Sequence, residues 1–368
     1  MATKERNPKY RICIVGNLLG FRKGNVTTQG QILAELLVND GHAVFATSSR
    51  KNRVMRLIEA VWTIIRNRKK FDTAIIEVYS GRSFLFADVT SFVARLFGIP
   101  SILVLHGGNL PAIARSMPKW VSRVLGRASA IIAPSIYLAR EISDLGFSVR
   151  IIPNVLNIDE YPYKPRTRLT PKLIWMRSFH SIYRPEMALN VLAELLRFRP
   201  EASLVMAGVD KGLLSSVKDK ATEMGIRTSV EFPGFLDHEA KVQQFSSADV
   251  YLNTNRIDNM PVSVLEACSF GLPVVATAVG GMRDLIAHEH NGLLVPDGDV
   301  HAMVNAIRRL LADPGLAMRL SSNGRRTAEE SSWENVRVQW FEVFEAVMPR
   351  TQDGPGVIMN RRQRDAIS

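Results

Sequence analysis

Apolar residues along the chain alternate between two spacings. Short apolar runs of strand length are separated by longer stretches in which apolar residues recur every three or four positions, as in an amphipathic helix. The first six predicted strands are residues 10–17, 43–49, 73–80, 101–108, 130–135 and 149–154. Strand and helix in regular alternation predict a parallel, doubly wound α/β sheet that is covered on both faces.

A second series of the same kind follows residues 157–172, which are rich in proline and charge and are interpreted as a linker. Its predicted strands are residues 173–178, 202–208, 230–235, 249–255, 273–279 and 292–296. We therefore expect two tandem Rossmann-like domains, 1–165 and 166–331, with a ligand-binding cleft between the carboxyl ends of their sheets. Residues 332–350 predict a helix that returns to the N-terminal domain, and residues 351–368 predict a disordered tail.

Composition narrows the class of protein. A chain of 368 residues with 46% hydrophobic and 22% charged residues is typical of a globular protein with two domains. Its two cysteines, Cys13 and Cys268, lack metal-site spacing and are too few for a disulfide framework. The first ten residues do not resemble a signal peptide, and no apolar run suits a membrane span, so a cytoplasmic location is expected.

The formal net charge of +12 lies entirely within residues 1–165, because residues 166–368 carry equal numbers of basic and acidic side chains. Within that basic half, residues 50–70 predict a basic amphipathic helix containing Trp62, which suits peripheral contact with an anionic membrane surface. Its apolar stripe is expected to pack on the sheet, leaving the basic flanks for the membrane. The stripe comprises Val54, Leu57, Ile58, Val61 and Ile65. Nucleic acid is not an expected partner, because no helix-turn-helix, aromatic-platform or zinc pattern is present.

The segment DNMPVSVLE, residues 258–266, places two carboxylates around a predicted helix start at Pro261. Unpaired N–H groups at a helix start favour a phosphate. Glu266 lies among apolar residues, where an unpaired charge would be costly, so a polar partner is expected. The diol of a ribose offers two hydroxyl donors to such a carboxylate. With Asp258 in the preceding loop, the segment suggests a site for a sugar nucleotide.

Arginines at the start of the second domain fit the same ligand. Arg177 ends the first predicted strand there, and Arg184 follows seven residues later. Guanidinium groups at this position would stabilise the negative charge of a leaving diphosphate.

In the first domain, His106 ends a predicted strand, and the glycines that follow it, Gly107 and Gly108, permit unusual backbone angles. The segment GFRKGN, residues 20–25, includes Gly24 and Asn25 and would allow a ligand to approach the backbone closely. It lacks the spacing of a dinucleotide-binding or Walker-A loop.

Together these motifs resemble the retaining glycosyltransferases of family four, the glycosyl transferases group 1, which have the GT-B fold. The resemblance covers roughly residues 10–345 and depends on several motifs in the right order. DNMPVSVLEACSFGLPVVAT is similar to the family's E-x7-E signature. The other matching segments are HGG, APS, IPN, GGMRDLI and NGLLVPDGD.

The resemblance implies that Glu266 holds the ribose hydroxyls and that Arg177 stabilises the leaving diphosphate. It also implies that His106 contacts the donor sugar near the reacting carbon and that Asp258 orients the sugar hydroxyls. The implied donor-binding residues at the helix start are Asn259, Met260, Pro261 and Val262.

Three departures from the family pattern accompany the resemblance. Asp258 stands where the family has Glu, Arg184 is the nearest substitute for a missing Lys, and KGN at 23–25 replaces a Gly-Gly pair. The implied reaction is transfer of a sugar from a nucleotide-sugar to a glycan or lipid-linked acceptor, with retention and without a metal or cofactor, in polysaccharide or glycolipid biosynthesis. A sugar-nucleotide epimerase and a non-catalytic sugar-nucleotide-binding or scaffold protein of the same fold remain as alternatives.

Overall fold

The computed structural model describes residues 10–18 and 27–348, which form two compact α/β units. The first unit comprises the described residues up to Val155 and those from Val336 onward, and the second comprises Leu156–Asn335. Each of the twelve predicted strands is present, and every recorded strand pair is parallel. The predicted fold of two doubly wound, Rossmann-like sheets is confirmed.

The first unit is built on a six-stranded sheet. Its strands are β1 (Arg11–Val15), β2 (Ala43–Thr47), β3 (Thr73–Val78), β4 (Ser101–Leu105), β5 (Ala130–Ala133) and β6 (Arg150–Ile151). The helices between them are α1 (Gln29–Asn39), α2 (Arg53–Asn67), α3 (Phe84–Leu96), α4 (Leu110–Ser116), α5 (Pro118–Leu125) and α6 (Ile136–Ser143). The strand order β2-β1-β3-β4-β5-β6 reverses between β1 and β3, and ligands of doubly wound sheets bind beside such a reversal.

The second unit repeats this arrangement with another six-stranded sheet. Its strands are β7 (Lys172–Met176), β8 (Ser203–Ala207), β9 (Val230–Gly234), β10 (Val250–Asn253), β11 (Val274–Thr277) and β12 (Leu293–Val295). Its helices are α7 (Pro185–Leu196), α8 (Leu214–Glu223), α9 (His238–Ser247), α10 (Val262–Ser269), α11 (Met282–Leu285), α12 (Val300–Ala312) and α13 (Pro314–Glu329). The order β12-β11-β10-β7-β8-β9 reverses between β7 and β10.

The core of each unit lies between its sheet and the helices on either face. Residues of β3 and of β10 are buried throughout, as expected for parallel strands covered on both sides. Helix α10 begins after Pro261 and ends before Gly271, whose φ of +79° and close approach to the Lys164 carbonyl leave no room for a side chain. Proline at the start and glycine past the end therefore set the bounds of the helix that carries Glu266.

The last helix of the described residues, α14 (Trp333–Val347), carries aromatic side chains to the first sheet. Phe344 and Phe341 pack against the ring of Tyr10, at centroid distances of 5.4 and 6.2 Å, and Phe341 also meets His42 edge-on. The segment 351–368, predicted as a tail, lies outside the described residues.

Helix α2 differs from its prediction, because two of the five residues of its apolar stripe face solvent. Val54, Ile58 and Trp62 are 65%, 55% and 56% exposed, whereas the buried residues of the helix are Ala60 and Ile64. The expectation that the stripe packs on the sheet was wrong for Val54 and Ile58, whereas Leu57, Val61 and Ile65 are partly buried. The preceding strand β2 is an edge strand, so α2 packs beside α3 on one flank while the other flank stays open.

Candidate active site

The second unit brings Arg177 and Asp258 together beside the reversal of its sheet. Arg177 follows β7, and Asp258 lies in the loop after β10, the neighbouring strand. Nη2 of Arg177 donates to Oδ2 of Asp258 at 2.7 Å, and Nη1 donates to the Ser263 hydroxyl at 3.3 Å. The guanidinium carbon lies 4.1 Å from the centre of the Tyr183 ring. A rigid, largely buried cation is thus held at the edge where such sheets bind ligands.

Electrostatics keep Arg177 charged. Burial lowers the pKa of this guanidinium, but the adjacent Asp258, together with Tyr183 and Tyr251, outweighs burial, and the pKa lies above its ordinary value. Its Nε is buried and has no hydrogen-bond partner among residues 10–18 and 27–348. This side chain therefore retains a donor that an incoming anion can use.

Asp258 also organises the loop in which it lies. Its Oδ1 accepts the Asn259 N–H at 2.8 Å, its Oδ2 accepts from the side chain of Asn255, and its carbonyl accepts the Gly281 N–H at 3.1 Å. Counting Arg177, the carboxylate therefore has three protein partners, which are Arg177, Asn255 and Asn259. The loop leads directly to the start of α10, where Pro261 precedes the first helical residue, Val262.

Helix α10 presents its first turn to this cluster and carries Glu266 one turn further on. Ser263, in the first turn, contacts Arg177, and Met260 is partly buried ahead of the helix. Unpaired N–H groups at a helix start, next to a fixed guanidinium, form a suitable environment for a diphosphate.

Glu266 is buried and has polar partners, as the sequence predicted. Its Oε1 accepts from Lys241 Nζ at 2.5 Å and from the Tyr161 hydroxyl at 3.2 Å. Sequence reasoning missed both partners: Lys241 lies on α9, and Tyr161 lies within the segment interpreted as a linker. No local pattern links either residue to Glu266, because the contacts span 25 and 105 positions.

Arg184 is placed differently from Arg177. Its φ of 44° is left-handed, and its guanidinium forms a paired contact with the carboxylate of Asp297, at 2.5 and 3.3 Å. It lines an open cavity of about 450 Å³ together with Arg256 and Asn190. The structure therefore does not bring Arg184 to the ion pair of Arg177 and Asp258.

In the first unit, His106 follows β4 and stacks on Tyr79, with ring centroids 5.2 Å apart. Burial lowers the pKa of His106 to about 4, so the imidazole is neutral near pH 7. Position 107 has room only for glycine, because a Cβ there would lie 2.6 Å from the backbone nitrogen of Ser80. Gly108 follows, and is partly buried. Gly24 and Asn25 lie outside the described residues.

Glu77 is a buried charge-bearing residue of the first unit that sequence reasoning missed. It lies in β3, and its carboxylate accepts the N–H groups of Asn17 at 3.0 Å and Gly30 at 2.8 Å. Gly30 is the second residue of α1, and an added Cβ there would lie 2.5 Å from Oε1. Burial raises the pKa of Glu77 to about 7, against the lowering effect of these hydrogen bonds. The acidic residue within an apolar run was the one sequence signal for a buried carboxylate at this position.

Solved structures with this fold are numerous, and three illustrate it. Sucrose-phosphate synthase from Thermosynechococcus elongatus superposes with a TM-score of 0.76 and 19% identity, over 92% of this chain and 98% of that one. Anabaena HepE in complex with UDP-glucose gives 0.69 and 17%, over 90% and 91%. The lipopolysaccharide outer core galactosyltransferase WaaB gives 0.64 and 17%, over 90% and 99%. The fold is that of a two-domain protein of the GT-B class.

Each half of the sequence matches a glycosyltransferase family model. The profile described as "Glycosyl transferases group 1" matches residues 167–327, and that described as "Glycosyltransferase Family 4" matches residues 26–160. An uncharacterized glycosyltransferase of Methanocaldococcus jannaschii is 28% identical over 44% of this chain and 42% of its own length. A D-inositol 3-phosphate glycosyltransferase of Thermobispora bispora is 22% identical over 78% and 74%. The two profiles together cover most of the chain, and match it as a family 4 domain followed by a group 1 glycosyltransferase domain.

Several of the matched curated relatives align with this chain over less than half of their own length. Within residues 10–18 and 27–348, no helix combines the length and the apolar character needed to cross a membrane.

Proposed function

We propose that the protein transfers a sugar from a nucleotide-sugar to a glycan or lipid-linked acceptor, with retention at the anomeric carbon. The observation that carries this proposal is the geometry of the second unit, in which Arg177 is fixed beside the first turn of α10 and Glu266 lies one turn further along the same helix. A cation with helix N–H groups fits a diphosphate, and a buried carboxylate fits hydroxyl donors.

The chemistry assigned to these residues follows from where charge develops. When the bond between the anomeric carbon and the diphosphate oxygen breaks, negative charge grows on the diphosphate, and Arg177 with the helix start would stabilise that charge. Asp258 holds Arg177 in place and would orient the sugar hydroxyls. The proposed mechanism assigns the cationic role to Arg177 and uses no metal ion or cofactor. His106 is assigned the contact to the donor sugar that the family resemblance implies.

Two solved structures of one relative in fold support a nucleotide-sugar as donor. Anabaena HepE was solved with UDP and with UDP-glucose, so UDP is the first nucleotide to test. The glycan or lipid-linked acceptor is proposed from the family resemblance and from the exposed surface of helix α2. A role in polysaccharide or glycolipid synthesis follows from such an acceptor.

Helix α2 supports peripheral contact with an anionic membrane. Its exposed residues Val54, Ile58 and Trp62 recur at every fourth position and so lie on one face of the helix. Helix α3, which packs beside it, exposes Phe92 and Leu96 as well. Basic side chains border this surface at both ends of α2. They are Arg50, Lys51, Arg53, Arg66, Arg68, Lys69 and Lys70. An exposed apolar surface with basic borders suits anionic lipid headgroups, and would bring the enzyme to a lipid-linked acceptor.

The decisive experiment is thermal unfolding of the full chain with UDP, GDP, ADP and TDP and their common sugars, repeated with Glu266→Ala. A ligand at about 100 times its Kd should add roughly 2.7 kcal/mol to the free energy of unfolding. We expect stabilisation by one nucleotide family and its loss in the variant. An absence of stabilisation by all of them would contradict the proposal and favour a scaffold role. Product analysis then separates transfer from epimerisation, since an epimerase converts the sugar nucleotide without an acceptor.

A further inference from the structure

Lys241 lies against the carboxylate that is proposed to hold the ribose. Its ammonium nitrogen is 2.5 Å from Glu266 Oε1, and its side chain is only 19% exposed. The Asp237 side chain caps the start of helix α9 by accepting the Ala240 N–H, so Lys241 lies at the end of the first turn of an anchored helix. The pair is therefore a fixed part of the site.

Both hydrogen bonds to Glu266 use the same oxygen. Lys241 and Tyr161 donate to Oε1, and Oε2 has no hydrogen-bond partner among the described residues. The Tyr161 ring is itself held edge-on against Phe270, at 5.4 Å between centroids. Two anchored donors thus fix the orientation of the carboxylate and leave one oxygen open.

The ammonium group has unused capacity as well. It carries three N–H donors, of which one bonds Glu266, and within residues 10–18 and 27–348 the other two have no recorded protein acceptor. An open acceptor, Oε2, and an open donor, Nζ, therefore lie side by side. A hydroxyl group both donates and accepts, so a vicinal diol matches this pair on both counts.

Resting on the proposed function, we infer that Lys241 is a specificity-determining residue of the nucleoside subsite. With Glu266 it selects a ribonucleoside diphosphate that has an intact 2′,3′-diol and rejects deoxyribonucleoside diphosphates. A ribose hydroxyl donates to Glu266 and accepts from Lys241. A deoxy position does neither, and leaves Oε2 of Glu266 and the remaining N–H donors of Lys241 without a ligand partner. Sites built to bond a hydroxyl discriminate strongly against analogues that lack it.

The test compares ribose and deoxyribose ligands on the same protein preparation. Isothermal titration of the full chain would use UDP, GDP and ADP, each with its 2′-deoxy and 3′-deoxy counterparts. The variants are Lys241→Met, which removes the donor, and Lys241→Arg, which keeps a cationic donor. The matched control is Lys220→Met, because Lys220 pairs with Glu186 at 3.1 Å on the surface of the same unit. A ratio of two Kd values taken on one preparation does not depend on the folded fraction.

For the wild type we expect the ribonucleotide that binds to do so at least about tenfold more tightly than its 2′- or 3′-deoxy counterpart. Lys241→Met should weaken ribonucleotide binding and lower that ratio severalfold, whereas Lys241→Arg and Lys220→Met should leave the ratio near its wild-type value. Equal weakening of ribose and deoxyribose ligands in Lys241→Met, or an unchanged ratio, would overturn the inference. Failure of the wild type to bind any nucleotide would instead overturn the proposed function, and the inference with it.

Discussion

The carboxylate of Glu77 and the imidazole of His106 lie 3.5 Å apart, between Oε1 and Nε2, and both side chains are largely buried. Burial raises the pKa of Glu77 to about 7 and lowers the pKa of His106 to about 4. Between these two pH values both groups are uncharged in the folded protein. The contact is therefore a neutral pair. Each of the two residues makes the free energy of unfolding depend on pH, and the two dependences have opposite signs.

The sign of each dependence follows from proton uptake. Between pH 4.5 and about 7, folded Glu77 keeps a proton that the unfolded chain has released, so its contribution to stability falls as the pH rises. Between about pH 4 and 6.5, unfolded His106 binds a proton that the folded state lacks, so stability rises with pH. In the wild type the two trends oppose each other where the intervals overlap.

Glu77→Gln should remove one of these trends. The difference in unfolding free energy, variant minus wild type, should increase by about 3 kcal/mol as the pH rises from 4.5 to 7. Urea unfolding at several pH values across this interval measures it. As a control, Glu141→Gln alters an ion pair with Arg115 in the same unit and should stay within about 0.5 kcal/mol of wild type. A difference that is constant with pH would contradict the assignment of the raised pKa to Glu77.

The site could be predicted from the sequence only where its residues lie close to a strand end or a helix start. The alternation of apolar runs predicted all twelve strands. Because the carboxyl ends of neighbouring parallel strands meet, Arg177 after β7 and Asp258 after β10 could be expected near each other. Glu266 could be expected to have a polar partner, because it lies inside an apolar helix.

The identity of those partners could not be predicted. Lys241 reaches Glu266 only because folding brings α9 within side-chain reach of α10, and Tyr161 reaches it from an irregular segment without periodicity. Glu77 resembled an ordinary interruption of an apolar strand. Val54 and Ile58 of the α2 stripe were misassigned because periodicity indicates which residues share a face, whereas the neighbouring elements determine whether that face is covered.

Arg177→Lys should weaken the binding of a nucleoside diphosphate. Lysine keeps the charge but lacks the planar fork with which Arg177 reaches Asp258 and Ser263 together, and it has no flat group to stack on Tyr183. We expect the Kd of the bound nucleoside diphosphate to rise roughly tenfold, with the Kd of the free nucleoside unchanged. Titration calorimetry with both ligands separates the two effects. The matched substitution Arg184→Lys should have a much smaller effect, and a comparable loss there would show that Arg184 also serves the diphosphate.

Arg166 should be a major contributor to the stability of the second unit. Its side chain is almost fully buried and donates to the carbonyl groups of Phe245, Ser246 and Ala248, at the end of α9. Arg166→Met leaves these acceptors unpaired and should lower the free energy of unfolding by about 3 kcal/mol. Denaturant unfolding measures the change. Arg168→Met removes an exposed arginine two positions away and should cost less than about 0.5 kcal/mol. Equal effects would mean that Arg166 does not stabilise the end of α9.

Trp62 and Phe198 allow a controlled test of membrane contact, because their side chains are equally exposed, at 56%. Each ring also has an arginine 4.7 Å from its centre: Arg66 lies over Trp62, and Arg308 lies over Phe198. Trp62 lies on α2 among basic residues, whereas Phe198 follows α7 in the second unit. Since burying a large apolar side chain is worth about 1.5–3 kcal/mol, Trp62→Ser should weaken binding to vesicles of equal parts phosphatidylglycerol and phosphatidylcholine by about tenfold or more. Phe198→Ser should leave binding unchanged. Vesicle sedimentation measures the binding of both variants. If the wild type binds pure phosphatidylcholine vesicles as strongly as the mixed vesicles, an anionic membrane is ruled out as the partner of α2.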